Sequence, residues 1–323
     1  MRAISVERTG GPEVLAWGEL PDPKPGDGEL LVRLGAAGVN FIDTYHREGL
    51  YPRDLPFVLG VEGAGTVEAA GPGVEGIGPG DTVAWADGSS GSYAELVLVP
   101  AARAVPVPAG VQAPVAAAAL LQGMTAHFLS HDTYRLGGGS RCLVHAAAGG
   151  VGLLLVQLAK AAGAEVFATV GSAEKAELAR GAGADHVILY RDEDFGAAVE
   201  RIAGPRPLDV VYDGVGRATF ERSLDLLRPR GTMVTFGNAS GPVEPVSPLT
   251  LMNQGSLFLT RPTLRHYVAT TAELRERAGA VLGAVAAGEL DVRIGATLPL
   301  AEAARAHELL EGRGTTGKVL LLP

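Results

Sequence analysis

The sequence predicts an α/β protein in two parts, a β-rich region followed by a doubly wound parallel sheet, and three observations carry that expectation. Before Ala113 the apolar segments are short and separated by turn-forming runs such as GPGVEGIGPGD. After Ala113 strand and helix patterns alternate at the spacing of βαβ units. Within that second region an apolar run passes directly into Gly149-Gly150-Val151-Gly152 and emerges as an amphipathic helix. The length of 323 residues independently favours about two domains over one core.

Taken in order, Leu30–Ala37, Gly65–Ala70 and Thr82–Ala86 read as strands because each is apolar and bounded by turns. Ala116–Leu129 is an alanine-rich helical pattern, closed by the GGGS turn at Gly137–Ser140. Strand Arg141–His145 then leads to helix Gly152–Ala162, strand Glu165–Val170 to helix Ala173–Gly181, and strand His186–Leu189 to helix Phe195–Ala203. Strand Asp209–Tyr212, helix Thr219–Leu227 and strand Thr232–Phe236 continue the alternation, and Leu257–Thr260 completes a six-strand set. The tail adds helices Thr271–Ala287 and Ala301–Glu311 and an apolar strand, Lys318–Leu322.

Composition narrows the function. Charged residues at 20% and hydrophobic residues at 47% describe an ordinary globular chain. Glycine, 45 of 323, is enriched roughly twofold over its usual share, which points to tight turns and close backbone approach to a ligand. A net charge of -9 argues against a nucleic-acid partner or an anionic membrane surface. A single cysteine, Cys142, permits no internal disulfide and no multi-cysteine zinc site, which fits a reducing, cytoplasmic setting. Residues Met1–Trp17 lack a signal-peptide core, and the uncharged stretches Ala104–His131 and Cys142–Ala159 are broken by proline or glycine, so no membrane span is expected.

The glycine turn is the sharpest local signal. Gly149 lets the backbone approach a pyrophosphate, Gly150 and Val151 open the helix, and Gly152 lets helix and strand pack closely. The helix start supplies free N–H groups and a positive dipole end. The first glycine of the usual fingerprint is replaced by Ala147, and a purely structural turn is the alternative. At the end of the second strand, Gly171-Ser172-Ala173-Glu174-Lys175 offers no carboxylate to a ribose diol at the strand end. Ser172 and Lys175 suit a 2′-phosphate instead, so NADPH is favoured over NADH; an ordinary solvated lysine is the alternative.

Gly38–Tyr51 (GVNFIDTYHREGLY), Leu59–Val67 (LGVEGAGTV), Gly78–Val83 (GPGDTV), His145–Gly152 (HAAAGGVG), Val210–Gly216 (VVYDGVG), Phe236–Gly241 (FGNASG) and Arg305–Leu322 together resemble the zinc-free quinone oxidoreductases, the zeta-crystallin-like branch of the medium-chain dehydrogenases/reductases. The resemblance runs nearly end to end. It implies a GroES-like catalytic domain over residues 1–122, completed by 264–323, and a Rossmann domain over 123–263 with a cofactor cleft between them. Zinc-dependent relatives place a Cys ligand where this chain has Asn40 and a His ligand where it has Val61, so the resemblance implies metal-free hydride transfer from NADPH to a quinone.

The same resemblance assigns residues. Asn40, Phe41 and Tyr45 from the VNFIDTY loop, with Thr125 from a helix start at GMTA, stand on the nicotinamide side; Asn40, Tyr45 and Tyr51 are the catalytic candidates. Gly171, Ser172, Lys175 and Tyr190 form the 2′-phosphate pocket, Gly214, Asn238, Ser240 and Gly241 follow the fourth and fifth strands, and Arg313 is a late cofactor contact. Turn capping is the alternative for Asn40 and Asp43, and a buried strand-end ring for Tyr190. His46 and Tyr51 are proton-donor candidates, whereas His145 reads as a bonded core residue and Cys142 as an inert buried thiol. An enone or 2-alkenal reductase and a non-catalytic NADPH-binding protein, structural or RNA-binding, are the competing functions. The uncharged strand Leu257–Thr260 is an edge expected to pair with its own copy in a homodimer, unless residues 263–269 fold back over it.

Overall fold

The computed structural model describes residues 1–86 and 91–323. It divides into two compact units, one formed by Met1–Met124 with Val268–Pro323, the other by Thr125–Tyr267.

The first unit is built on strand Glu29–Val39, whose alternation puts Leu30, Val32 and Leu34 inward. Among the described residues its main sheet runs Ile294–Pro299, Lys318–Leu322, Glu29–Val39, Glu62–Ala70, Thr82–Ala86, Val105–Pro106, with Leu96–Pro100 also paired to Glu29–Val39. A smaller sheet joins Leu15–Glu19, Arg2–Val6 and Phe57–Val58. Trp85, Tyr93, Val319 and Leu321 share the core with the inward face of Glu29–Val39. Strand Lys318–Leu322, far away in sequence, pairs antiparallel with Val39, Gly38 and Ala37. The tail therefore closes the fold that the first residues begin.

The second unit is a parallel sheet in the order His186–Leu189, Glu165–Val170, Arg141–Val144, Leu208–Asp213, Leu227–Thr235, Phe258–Thr260. Chain order 3-2-1-4-5-6 is the Rossmann arrangement, whose reversal beside the first strand opens a crevice at the carboxyl ends. Leu143, Phe167, Ile188, Val211 and Met233 form the core with Phe220 and Leu224. His145 is buried, its Nδ1 2.9 Å from Thr169 Oγ1 and its Nε2 2.9 Å from Ser223 Oγ, so both nitrogens are engaged in the core. Cys142 is buried, and burial pushes its thiol up to about 12.

Three elements differ from the sequence reading. The VNFIDTY segment is not a loop: Phe41–Glu48 is helical, started by the Asp43 carboxylate accepting the Asn40 N–H (2.8 Å) and ended by Gly49 at φ 82. Helix Ala113–Phe128 runs unbroken through GMTA, so Thr125 stands in its last turn rather than at a start. Gly123 is tolerated there because a Cβ would press into Val281 of helix Thr271–Ala286. The fifth strand begins at Leu227, earlier than expected, because Leu227 pairs with Leu208 before the register shifts.

Candidate active site

In the first unit, strand Glu29–Val39 delivers Asn40 to the start of helix Phe41–Glu48. Asn40 is buried, and its amide is fully engaged. Nδ2 donates to Glu62 Oε2 (2.8 Å) and Gly38 O (3.2 Å), while Oδ1 accepts from Lys318 Nζ (2.7 Å) and Gln122 Nε2 (3.3 Å). Lys318 and Glu62, 1% and 0% exposed at their side chains, form an ion pair, and the second carboxylate oxygen of Glu62 accepts the Leu121 N–H at 2.6 Å. A Cβ on Gly38 would stand 2.5 Å from Glu62 Oε2 and 2.6 Å from Lys318 Cε, so the pair fits only against glycine. Among the described residues no three His, Cys, Asp or Glu side chains are grouped to hold a metal ion.

A second buried chain of hydrogen bonds runs from the same helix. The Arg47 guanidinium only donates, so His307 Nδ1 accepts from it (3.1 Å) and the imidazole proton sits on Nε2. Nε2 faces Tyr93 Oη at 3.2 Å, and Tyr93 donates onward to Asp43 Oδ2 at 3.1 Å. The donors point one way, from Arg47 to Asp43. Burial pushes Asp43 up to about 7 against the bonds that favour its anion, and burial drives His307 down to about 3. Asp43 Oδ1 has no partner, which leaves a place for the proton that burial favours.

Aromatic rings cluster where this helix meets the following loop, with Tyr45 buried and Phe41 and Tyr51 half-buried. Tyr45 and Tyr51 meet edge to face at 5.3 Å, Phe41 and Tyr45 lie 6.4 Å apart, and His46 and Tyr51 lie 6.2 Å apart. His46 Nδ1 contacts the Tyr51 carbonyl at 3.2 Å and therefore carries the ring proton. Burial lowers its pKa, so His46 presents a neutral ring and Nε2 is an acceptor rather than an acid. Of His46 and Tyr51, Tyr51 is the one that offers a hydroxyl as donor. Arg313, at φ 56, follows helix Ala303–Glu311 in this same unit.

In the second unit, helix Gly150–Ala161 begins at Gly149 with no side-chain cap, which leaves the first-turn N–H groups available to an anion. A Cβ at Gly152 would overlap the Ala146 carbonyl, whereas one at Gly149 would meet only that oxygen, at 3.2 Å. Gly152 thus serves helix–strand packing, and Gly149 keeps the mouth of the turn open. Strands Glu165–Val170 and His186–Leu189 end in register at Val170 and Leu189, so Gly171-Ser172 and Tyr190-Arg191 leave the sheet side by side. A Cβ on Gly171 would lie 2.7 Å from Tyr190 Oη and 3.5 Å from Arg191 Nε. Ser172 caps helix Ala173–Gly181 by accepting the Lys175 N–H (3.3 Å), Glu174 is exposed, and Tyr190 is 39% exposed rather than a buried ring. Arg191 was missed in the sequence, although its place directly after Tyr190 at a carboxyl strand end is the signal that marks it. The donor set fits a dinucleotide with a 2′-phosphate.

The remaining assigned residues shape the carboxyl edge. Asp213, fully buried, accepts from Val215 N (2.7 Å), Gly216 N (3.0 Å) and Thr219 Oγ1 (2.9 Å), which fixes the turn that begins at Gly214. Ser240 donates to Val215 O (2.8 Å) and accepts from Ala218 N (3.0 Å), pinning that turn to the loop ending at Gly241. With its amide oriented so that both ends are satisfied, Asn238 donates to Gly237 O (3.0 Å) and accepts from Arg261 Nη2 (3.1 Å). Thr125 is 9% exposed at the end of its helix.

Two expected outcomes follow from the buried groups of the first unit. Lys318→Met removes the buried cation that answers the Glu62 carboxylate, so unfolding in denaturant should show a loss of about 3–5 kcal/mol, partly restored by adding Glu62→Gln. A loss below about 1 kcal/mol in the single variant would refute the pair as a structural tie. As pH falls from 6.5 toward 3.8, folded Asp43 takes up its proton ahead of the unfolded chain and stabilises the fold, whereas His307 stays neutral while unfolded imidazole protonates and so costs stability. Asp43→Asn removes the stabilising arm alone, so its unfolding free energy should drop more steeply over that window than the parent's. Parallel slopes would show that Asp43 does not titrate there.

A family model described as a zinc-binding dehydrogenase matches residues 150–283, and one for the alcohol dehydrogenase GroES-like domain matches residues 26–109. A quinone oxidoreductase of Pseudomonas aeruginosa is 47% identical, over 100% of this chain and 99% of its own. A 2-haloacrylate reductase from a Burkholderia species is 41% identical over 99% of this chain and 98% of its own. The crystal structure of Escherichia coli quinone oxidoreductase complexed with NADPH superposes with a TM-score of 0.96 or better, namely 0.97, at 44% identity and full coverage of both chains.

Proposed function

The chain belongs to the quinone oxidoreductase family of the medium-chain dehydrogenases/reductases, and from that premise we propose that it transfers reducing equivalents from NADPH to a quinone without a metal ion. The observation that carries the reading is the paired strand end at which Tyr190 and Arg191 lie against Gly171, with Ser172 and Lys175 at the start of the helix that follows, together with the uncapped start of helix Gly150–Ala161. Thr125–Tyr267 is read as the nucleotide-binding domain and Met1–Met124 with Val268–Pro323 as the catalytic domain.

When bound, the reduced nicotinamide supplies a hydride, and the work of the chain is binding, orientation and proton supply. Gly149 to Gly152 hold the pyrophosphate with backbone N–H groups. Lys175 and Arg191 neutralise the 2′-phosphate, and the Ser172 and Tyr190 hydroxyls bond its oxygens. Phe41, Tyr45 and Tyr51 offer ring faces and edges to a planar acceptor. Reduction of a quinone to a hydroquinone also takes up a proton, which the Tyr51 hydroxyl is placed to hold. Asn40, whose amide is consumed internally, anchors the helix that carries these rings.

The chain is also read as a homodimer. Strand Phe258–Thr260 pairs on one side with Leu227–Thr235, and among the described residues no strand pairs with its other side. Residues 264–267 do not fold back as a strand; they form the short helix Leu264–Tyr267, whose Tyr267 ring stacks on Phe128 at 4.3 Å. Phe258, Leu249 and Met252 are 61%, 62% and 58% exposed, an apolar surface that a second copy would cover. Among the described residues no helix is long and apolar enough to cross a membrane.

Lys175→Ala should raise the KM for NADPH roughly 10- to 100-fold with 1,4-naphthoquinone as acceptor, the loss of one charge-assisted contact, and leave that for NADH within about twofold. Equal kinetics with both cofactors in the parent would sink the 2′-phosphate assignment. Phe258→Asp places like charges across the two-fold, so light scattering should show a dimer for the parent and a monomer near 33.1 kDa for the variant. A variant that stays dimeric puts the interface elsewhere.

A further inference from the structure

Several arginines of this chain meet carboxylates: Arg141 meets Glu165 at 2.7 Å, Arg201 meets Glu193 at 2.9 Å, and Arg222 meets Glu200 at 3.0 Å. Arg53 does not. Among the described residues it has no hydrogen bond or ion pair, and its Nη1 is buried without an acceptor. What holds it is the Phe57 ring, whose centroid lies 4.8 Å below Cζ. A ring face attracts the cation but accepts no in-plane N–H, so the fork of donors remains unspent. An unpaired, partly desolvated guanidinium in a chain of net charge -9 calls for a counterpart that comes from outside the fold.

The surroundings say what that counterpart is. Arg53 lies two residues after Tyr51, whose ring meets Tyr45 and His46. Leu50 and Leu55 flank the segment, 43% and 45% exposed. The loop therefore presents aromatic and aliphatic surface with one fixed cation beside it, the complement of a flat apolar ring carrying a negative charge. Burial lowers the Arg53 pKa and the Asp43 charge opposes that, yet no carboxylate pairs with it directly.

We infer that Arg53 is a specificity-determining residue that binds an anionic oxygen on the acceptor, a sulfonate, carboxylate or ionised hydroxyl of the quinone, so that the enzyme selects acidic quinones over neutral ones. The inference deepens the proposed function and rests on it for the readout of turnover. It adds a charge requirement that ring stacking alone does not impose.

The test compares 1,4-naphthoquinone-2-sulfonate with 2-methyl-1,4-naphthoquinone in the intact enzyme, with Arg53→Met and Arg53→Lys as variants. Arg53→Met should raise the KM for the sulfonate at least tenfold and move that of the methyl quinone less than twofold, with kcat for the latter preserved. Arg53→Lys, which keeps the charge and loses the fork, should fall between the two. Equal shifts for both quinones, or an unchanged KM for the sulfonate, would overturn the inference. Calorimetric binding of the sulfonate by the cofactor-free protein separates the two levels of the argument. Binding by the parent and not by Arg53→Met, with no turnover of either quinone, would uphold Arg53 and reject the quinone reductase reading. Equal binding by both would reject Arg53. If Arg53→Met fails to fold, as circular dichroism would show, the comparison rests on Arg53→Lys, where a KM for the sulfonate equal to the parent's rejects the fork.

Discussion

The ion pair of Lys318 with Glu62 is the constraint on which the first unit depends. Two ionised groups at 1% and 0% exposure survive in a core only if each is bonded on every side. Glu62 therefore also accepts the Leu121 N–H, Lys318 also donates to the Asn40 side-chain oxygen, and the Asn40 Nδ2 closes the triangle by donating to Glu62. Those bonds tie the closing strand Lys318–Leu322, the strand Glu62–Ala70 and the helix Ala113–Phe128 to the single residue from which helix Phe41–Glu48 departs. The start of the helix that carries Tyr45 is thus set by buried charges that face no solvent. Gly38 belongs to the same constraint, since any side chain there would occupy the place of the pair.

The second unit shows how much of such a fold is legible. Strands Glu165–Val170 and His186–Leu189 and helices Ala173–Gly181 and Phe195–Ala203 have the bounds that local patterning predicts, because buried parallel strands and amphipathic helices write their period into adjacent residues. The GGVG turn is legible for the same reason, since its glycines answer a local steric demand. The helix Phe41–Glu48 was not, being short and polar in its turns, with a start that depends on one carboxylate. Nor was the Lys318–Glu62 pair, whose members are 256 residues apart and individually look like surface charges. Arg53 and Arg191 escaped for a third reason: an arginine's meaning lies in whether a carboxylate answers it, and sequence does not show the answer.

The two units handle charge differently. Beyond Gly171, Lys175 and Arg191 stand where solvent reaches them, and neither is sunk into the core. In the first unit the hydrogen-bond chain from Arg47 through His307 and Tyr93 is sealed, and its direction feeds donors toward Asp43. Such a chain holds a buried carboxyl in place without neutralising it completely, which is why burial still governs its affinity for a proton.

The separation in sequence between Glu62 and Lys318 has a consequence for how the protein is made. The ribosome completes Thr125–Tyr267 as one uninterrupted stretch, so the parallel sheet has all its strands while later residues are still being added. The first unit has no such opportunity. Its opening strands emerge carrying Glu62 and Asn40 but without the ammonium that pairs with them, and the whole second unit is synthesised before Lys318 arrives. During that interval an acidic, unfilled pocket and an open strand edge at Val39 are exposed together. The second unit can thus complete its sheet before the first can close on Lys318.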